Sequence, residues 1–141
     1  MADRIRVADA AALLGVSDDT LRRWADAGRI TVHRDGTRAT IDGAELAALA
    51  TEIAADSPLA RLLPSGTASS ARNRVPGIVT RVQRDGVMAQ VDLQSGPFRF
   101  VSLMSREAAD ALGLEPGVIA VATVKATTVV IEQSDIRKEP R

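Results

Sequence analysis

The sequence predicts an α+β protein of two domains: a winged helix-turn-helix, then a five-stranded OB-like β-barrel carrying one short helix. Three observations lead there. Apolar residues recur at helical spacing through residues 7–54, the spacing changes to every second residue from Val75 onward, and a Ser-, Pro-, Gly- and Ala-rich stretch separates the two patterns. The expected division is residues 1–54 for the first domain, 55–68 for a linker, 69–133 for the barrel and 134–141 for a polar, fraying tail.

In the first domain, residues 7–14 are rich in Ala and Leu and stop at Gly15, a ready left-handed cap. Ser17 can cap a second helix over residues 18–27, where Asp18 and Asp19 suit the positive helix end. That helix places Leu21 and Trp24 on a core face and Arg22, Arg23 and Asp26 toward solvent, with Gly28 ending it. Residues 30–41 alternate weakly around Asp35-Gly36, a dipeptide that favours a tight hairpin. Asp42 can cap a third helix over residues 43–54, with Leu46, Leu49 and Ile53 on one side. Leu59, Leu62 and Leu63 interrupt the linker and can dock locally, so a partly ordered connection is expected.

Beyond the linker, residues 75–82 and 87–93 read as strands joined by Asp85-Gly86, and residues 98–103 alternate as well. Residues 105–112 form a short capped helix stopped by Gly113, and residues 118–124 and 129–131 complete the strands. Five strands with one helix before the fourth suit a small Greek-key barrel.

Composition narrows the function classes. The 18 basic and 18 acidic residues cancel, so no global field draws the chain to nucleic acid. Residues 1–50 hold seven Arg against eight Asp or Glu, so any DNA contact depends on local placement. Aromatic residues are limited to Trp24, Phe98 and Phe100, and a core this thin favours homo-oligomeric association. Without cysteine, and with His33 as the only histidine, no transition-metal site is expected. No signal segment or long apolar span is present, so a cytoplasmic protein with no membrane partner is the expectation. An enzyme is the least expected class. No nucleophile stands beside a base, and no phosphate-cradling loop or recognisable carboxylate pair appears.

Two helices joined by Gly15-Val16-Ser17 can lay the second helix in a DNA major groove. The residues then facing bases or phosphates are Ser17, Thr20, Arg22 and Arg23, while His33, Arg34 and Arg38 surround a hairpin wing. Arg6-Val7-Ala8-Asp9-Ala10-Ala11-Ala12-Leu13-Leu14-Gly15-Val16-Ser17, Thr20-Leu21-Arg22-Arg23-Trp24 and Gly28-Arg29-Ile30 resemble the winged-helix module of MerR-type regulators and phage excisionases. The resemblance covers about residues 4–50 and implies DNA binding. A single copy contacts few phosphates, which again favours an assembly.

The run Ser70-Ala71-Arg72-Asn73-Arg74 offers hydroxyl, guanidinium and amide donors with no carboxylate. A proton-free oxyanion such as molybdate accepts at every oxygen. Phosphate usually keeps a proton, and leaving that proton unpaired in a donor-only shell costs roughly 1–3 kcal/mol. Molybdate, tungstate and sulfate all meet this requirement. Ser70 through Asn73, Val75-Pro76-Gly77-Ile78-Val79, Ser105 through Gly117, and Val124-Lys125-Ala126-Thr127-Thr128-Val129 resemble a molbindin, the molybdate-binding (Mop or TOBE) barrel found in molybdate-responsive repressors and transporter ATPases. The resemblance implies ligands at Ser70, Ala71 and Arg72, at Ser105 where the family usually has threonine, and at Lys125 and Ala126. Ala108 stands where the family carries a second hydroxyl, so only its amide remains. The resemblance also implies that each pocket takes ligands from two chains. Taken singly, Lys125, Arg81 and Arg99 also suit solvated strand positions, and Asn73 suits a turn contact.

These readings converge on a molybdate- or tungstate-responsive DNA-binding regulator. Two alternatives stay open: an oxyanion storage protein that does not read DNA, and a DNA-binding protein whose barrel serves only assembly.

Overall fold

The computed structural model describes residues 3–134, and the chain forms two compact units, Met1–Ala60 and Arg61–Arg141. The expected polar tail falls almost wholly on residues 135–141, outside the described residues.

In the first unit the order is β1 (Arg4–Arg6), α1 (Val7–Leu14), α2 (Asp18–Asp26), β2 (Val32–Asp35), β3 (Arg38–Asp42) and α3 (Gly43–Ala54). Helix α1 ends where Gly15 takes φ 69°, a left-handed conformation that lets its amide bond back to Ala12 O at 3.1 Å. Ser17 caps α2, its Oγ accepting from the Thr20 amide at 3.1 Å. Asp42 caps α3, its Oδ1 accepting from the amides of Ala44 and Glu45 at 3.0 and 3.2 Å. The antiparallel sheet runs β1-β3-β2. Its first strand was not legible in the sequence: Arg4–Arg6 pairs with Thr40–Asp42 and extends the hairpin to three strands. Val7, Ala10, Ala11, Leu21, Ile30, Ile41, Leu46 and Leu49 form the core, and Trp24 packs against it. The Arg29 guanidinium lies 4.7 Å from the Trp24 ring centroid and donates to Glu52 at 3.0 Å, closing the end of α2 against α3.

The second unit contains β4 (Asn73–Arg84), β5 (Met88–Ser95), β6 (Phe98–Ser105), α4 (Arg106–Ala111) and β7 (Ile119–Val124). All neighbours are antiparallel in the order β6-β5-β4-β7, and a bulge between Val79 and Arg81 bends β4. Val79, Val91, Leu93 and Leu114 are its buried centre. Arg84 pins the far end of β4 to the α4 region, donating to Asp110 at 2.9 Å and to Glu115 and the Leu114 carbonyl at 3.0 Å each.

The expected fifth strand is not formed. After β7 the chain makes a 3-10 turn at Ala126–Thr128, and residues 129–131 join no ladder, with Val130 82% and Ile131 86% exposed. β-branched residues favour extended backbone, but a strand also needs an edge to pair with. Within one chain the result is a bent four-stranded sheet rather than a closed five-stranded barrel.

Candidate DNA-reading and oxyanion-binding sites

In the first unit, helix α2 and the β2–β3 hairpin carry the residues expected to meet DNA. Ser17 and Thr20 are tied into the cap: Ser17 Oγ donates to Thr20 Oγ1 at 3.0 Å, and Arg23 Nη2 donates to the same oxygen at 3.2 Å. Arg23 also lies 4.0 Å from Asp19, one turn back, in a pair exposed enough to contribute little. Arg22 is placed differently. With Arg34 it lines a groove between α2 and the hairpin, whose other walls include Asp26 and Thr31. His33 and Arg34 pair in register with Thr40 and Ala39, and Arg38 follows the Gly36 turn; all three cationic or titratable side chains are exposed. The structure thus brings Arg22 and Arg34 together and holds Ser17, Thr20 and Arg23 in a separate, self-bonded group.

In the second unit the residues expected to hold an oxyanion fall into two groups. Ser70, Ala71 and Arg72 run into the start of β4, where the Ala71 amide donates to Ser69 Oγ at 3.1 Å. The start of β4 pairs with the end of β7, with Asn73 opposite Val124 and Asn73 Nδ2 donating to Val124 O at 3.0 Å. Asn73 therefore makes a cross-strand bond rather than a turn contact. Lys125 and Ala126 directly follow β7 and Ser70–Arg72 directly precede β4, so both segments leave the same end of this strand pair. Ser70, Arg72, Lys125 and Ala126 are exposed. This end of the sheet offers hydroxyl, guanidinium, ammonium and amide donors, and no carboxylate.

Ser105 and Ala108 lie elsewhere. Ser105 pairs with Met88, and the neighbouring Ala89 pairs with Arg84, at the other end of β4. At roughly 3.3 Å per residue, the path along β4 between the two groups is on the order of 35 Å. Ser105 caps α4, its Oγ accepting from the Ala108 amide at 3.1 Å. That amide is already bonded, while the Ser105 hydroxyl proton remains free to donate.

Two carboxylates are held below the ordinary aspartate value of 3.8. Asp85 is lowered by amide bonds from Met88 and Val87, and Asp92 by the Arg99 side chain and then Gln90. Arg99 faces water as expected, and from that exposed position it also donates through Nη2 and Nε to the buried Asp92 Oδ2 at 2.7 and 3.1 Å. Neither aspartate belongs to the donor-only end. Among the described residues no group of three or more His, Cys, Asp or Glu is placed to hold a metal ion. No described helix is long and apolar enough to cross a membrane.

One residue at the donor-only end was missed by sequence reasoning. Arg74 stands opposite Thr123 on β7, and its Nε is the one buried side-chain nitrogen or oxygen among the described residues without a hydrogen-bond partner. The available signal was the alternation Arg72-Asn73-Arg74, which sets both guanidinium groups on one face of an extended chain.

Comparison with known families follows the same division. A family described as a helix-turn-helix domain matches residues 5–53, and one described as a TOBE domain matches residues 69–131. The chain joins a helix-turn-helix domain to a TOBE domain. These are binding modules rather than enzymatic families. No curated protein matches the chain. Among solved structures, a molybdate-binding protein from Sporomusa ovata is 25% identical with a TM-score of 0.46, over 48% of this chain and 100% of that one. MopII from Clostridium pasteurianum is 33% identical with a TM-score of 0.44, over 47% of this chain and 100% of that one. The cytoplasmic molybdate-binding protein ModG, with molybdate bound, is 38% identical with a TM-score of 0.42, over 44% of this chain and 45% of that one.

Proposed function

We infer that this chain is a molybdate-responsive transcriptional regulator. The helix-turn-helix domain reads DNA, and the TOBE domain binds molybdate, or tungstate, between subunits of a homo-oligomer. The observation that carries this reading is the donor-only end formed by Ser70, Arg72, Lys125 and Ala126, on the same chain as a helix-turn-helix. Such a shell suits a tetrahedral dianion with no proton to donate. Ser105 and the donor-only end lie at opposite ends of β4. A pocket that uses both groups therefore takes them from two chains, which is why the reading includes an oligomer.

On the DNA side, Arg22 and Arg34 flank one groove, and exposed Arg38 extends the positive edge along the wing, where His33 is exposed as well. The experiment follows thermal unfolding of the full chain with molybdate, tungstate or sulfate. Fluorescence anisotropy is then measured on a labelled fragment of the DNA upstream of its own gene, with and without molybdate. The reading expects a rise in unfolding midpoint with molybdate, and DNA binding that changes with the anion. No shift with any anion removes the sensor, and no binding to that DNA removes the regulator.

A further reading, that the second domain serves only assembly, is favoured by one observation. The Ala108 amide is already bonded to Ser105, and no hydroxyl replaces it. A molybdate-induced shift in the unmodified chain decides against it.

A further inference from the structure

We propose that Arg74, with the Thr123 hydroxyl opposite it, is an oxyanion-binding residue of the TOBE domain, adding a second guanidinium to the Ser70–Arg72 and Lys125 donors. The proposal rests on the sensor reading above and extends its ligand set.

Strand geometry carries the first half of the argument. Arg74 and Thr123 are register partners, and Asn73 pairs with Val124. Continuing that register by one residue sets Arg72 opposite Lys125. Register partners share a face, and so do residues two apart along a strand. Arg72 and Arg74 on one side, and Thr123 and Lys125 on the other, therefore converge on a single face, with Ser70 just ahead of it in the chain. Neighbouring guanidinium stems about 6.6 Å apart are close enough for both forks to reach one ion.

Electrostatics carries the second half. Like charges facing each other across a strand pair are destabilising. No acid relieves them nearby in the sequence: residues 57–84 and 116–131 contain neither Asp nor Glu. Arg84, at the other end of β4, shows the contrast, since Asp110 and Glu115 both hold it. Arg74 has only a 3.5 Å contact from Nη1 to the Pro64 carbonyl, and its Nε is buried with no acceptor. A buried charged donor without a partner is costly. An anion on this face, met by the half-buried Arg74 guanidinium and its cationic neighbours, offsets the repulsion. The added guanidinium also makes up for the hydroxyl that Ala108 lacks.

The test is isothermal titration of the full chain with sodium molybdate, tungstate and sulfate, alongside unfolding of the anion-free protein. Arg74→Gln is expected to weaken molybdate binding about tenfold or more, and Thr123→Val several-fold. Arg74→Lys, which keeps the charge but loses the fork, is expected to fall between wild type and Arg74→Gln. Arg81→Gln, whose guanidinium donates to Gln83, is expected to bind as wild type. The unfolding midpoint of anion-free Arg74→Gln is expected to equal or exceed that of wild type, because a strained donor is removed. Wild-type affinity in Arg74→Gln overturns the proposal, and so does a loss of affinity accompanied by a lower anion-free midpoint. A wild-type chain that binds none of the three anions overturns the sensor reading itself, a distinct result.

Discussion

Gly77→Ala tests whether the β4–β5 approach is as close as the structure has it. A methyl built at Gly77 lies 2.6 Å from the Gln94 carbonyl oxygen, 2.9 Å from Leu93 Cγ and 3.1 Å from the Gln94 carbonyl carbon. Ordinary contact begins near 3.4 Å, so the strands must separate by about 0.8 Å at this point. The obstacle is backbone, which cannot rotate away as a flexible side chain can. Ladder bonds of about 2.9 Å stretched that far fall outside hydrogen-bond range. Overpacking of this kind costs on the order of 2 kcal/mol. For a unit of this size that lowers the unfolding midpoint by about 10 °C. Gly86→Ala is the control, because its added methyl meets nothing within 4 Å. Circular dichroism melts of both variants decide the matter. Gly77→Ala unfolding within about 2 °C of wild type would falsify the close approach, and with it the account of how β4 is held against β5.

The remaining predictions concern charge and donors. Asp85 and Asp92 have carboxyls depressed in the folded state, so the stability they supply is complete above the unfolded value of 3.8 and disappears as pH falls through the depressed values. Melts from pH 7 down to about 3 are expected to show a falling midpoint only at the acid end, with a shallower fall in Asp92→Asn. Arg22→Ala and Arg34→Ala should each weaken DNA binding similarly across sequences and reduce the salt slope by about 0.9, measured by anisotropy at several salt concentrations. Asp42→Ala removes the acceptor for two α3 amides and should cost about 1 kcal/mol of first-unit stability in urea unfolding. Ala108→Ser restores a hydroxyl beside Ser105 and should raise molybdate affinity several-fold in titration, while unchanged affinity places Ala108 outside the pocket.

Much of this architecture was written in short local signals. Gly15, Ser17, Asp42 and Ser105 each act at the helix end where their chemistry suits them, so α1, α2, α3 and α4 were legible nearly to the residue. What escaped were features that depend on distant partners. β1 is three residues, two of them Arg, and is extended only because β3 offers it an edge. Val129–Val130–Ile131 has the composition of a strand, yet it pairs with neither of the edge strands, β6 and β7, of the open sheet. The Asp92–Arg99 pair was hidden because cross-strand contacts depend on register, which alternation alone does not set. For the candidate site, the donor types were readable from sequence. That Lys125 and Arg72 flank the same end of the β4–β7 pair while Ser105 sits toward the far end of β4 required the strand pairing.

That division of donors bears on how the proposed sensor works. An effector changes DNA affinity only by the difference in its own affinity for two states. A pocket completed within one chain would need an internal rearrangement to supply that difference. A pocket shared by two chains supplies it through association, because the separated chain offers each anion only half a donor set. Each molybdate bound then stabilises the assembled state, and assembly multiplies the helix-turn-helix modules on one particle. Since a single module without net positive charge meets few phosphates, its affinity depends steeply on that multiplication. The balanced charge of residues 1–50, which at first argues against DNA binding, becomes a condition for control. A strongly basic module would bind DNA alone, and the anion would have little left to regulate.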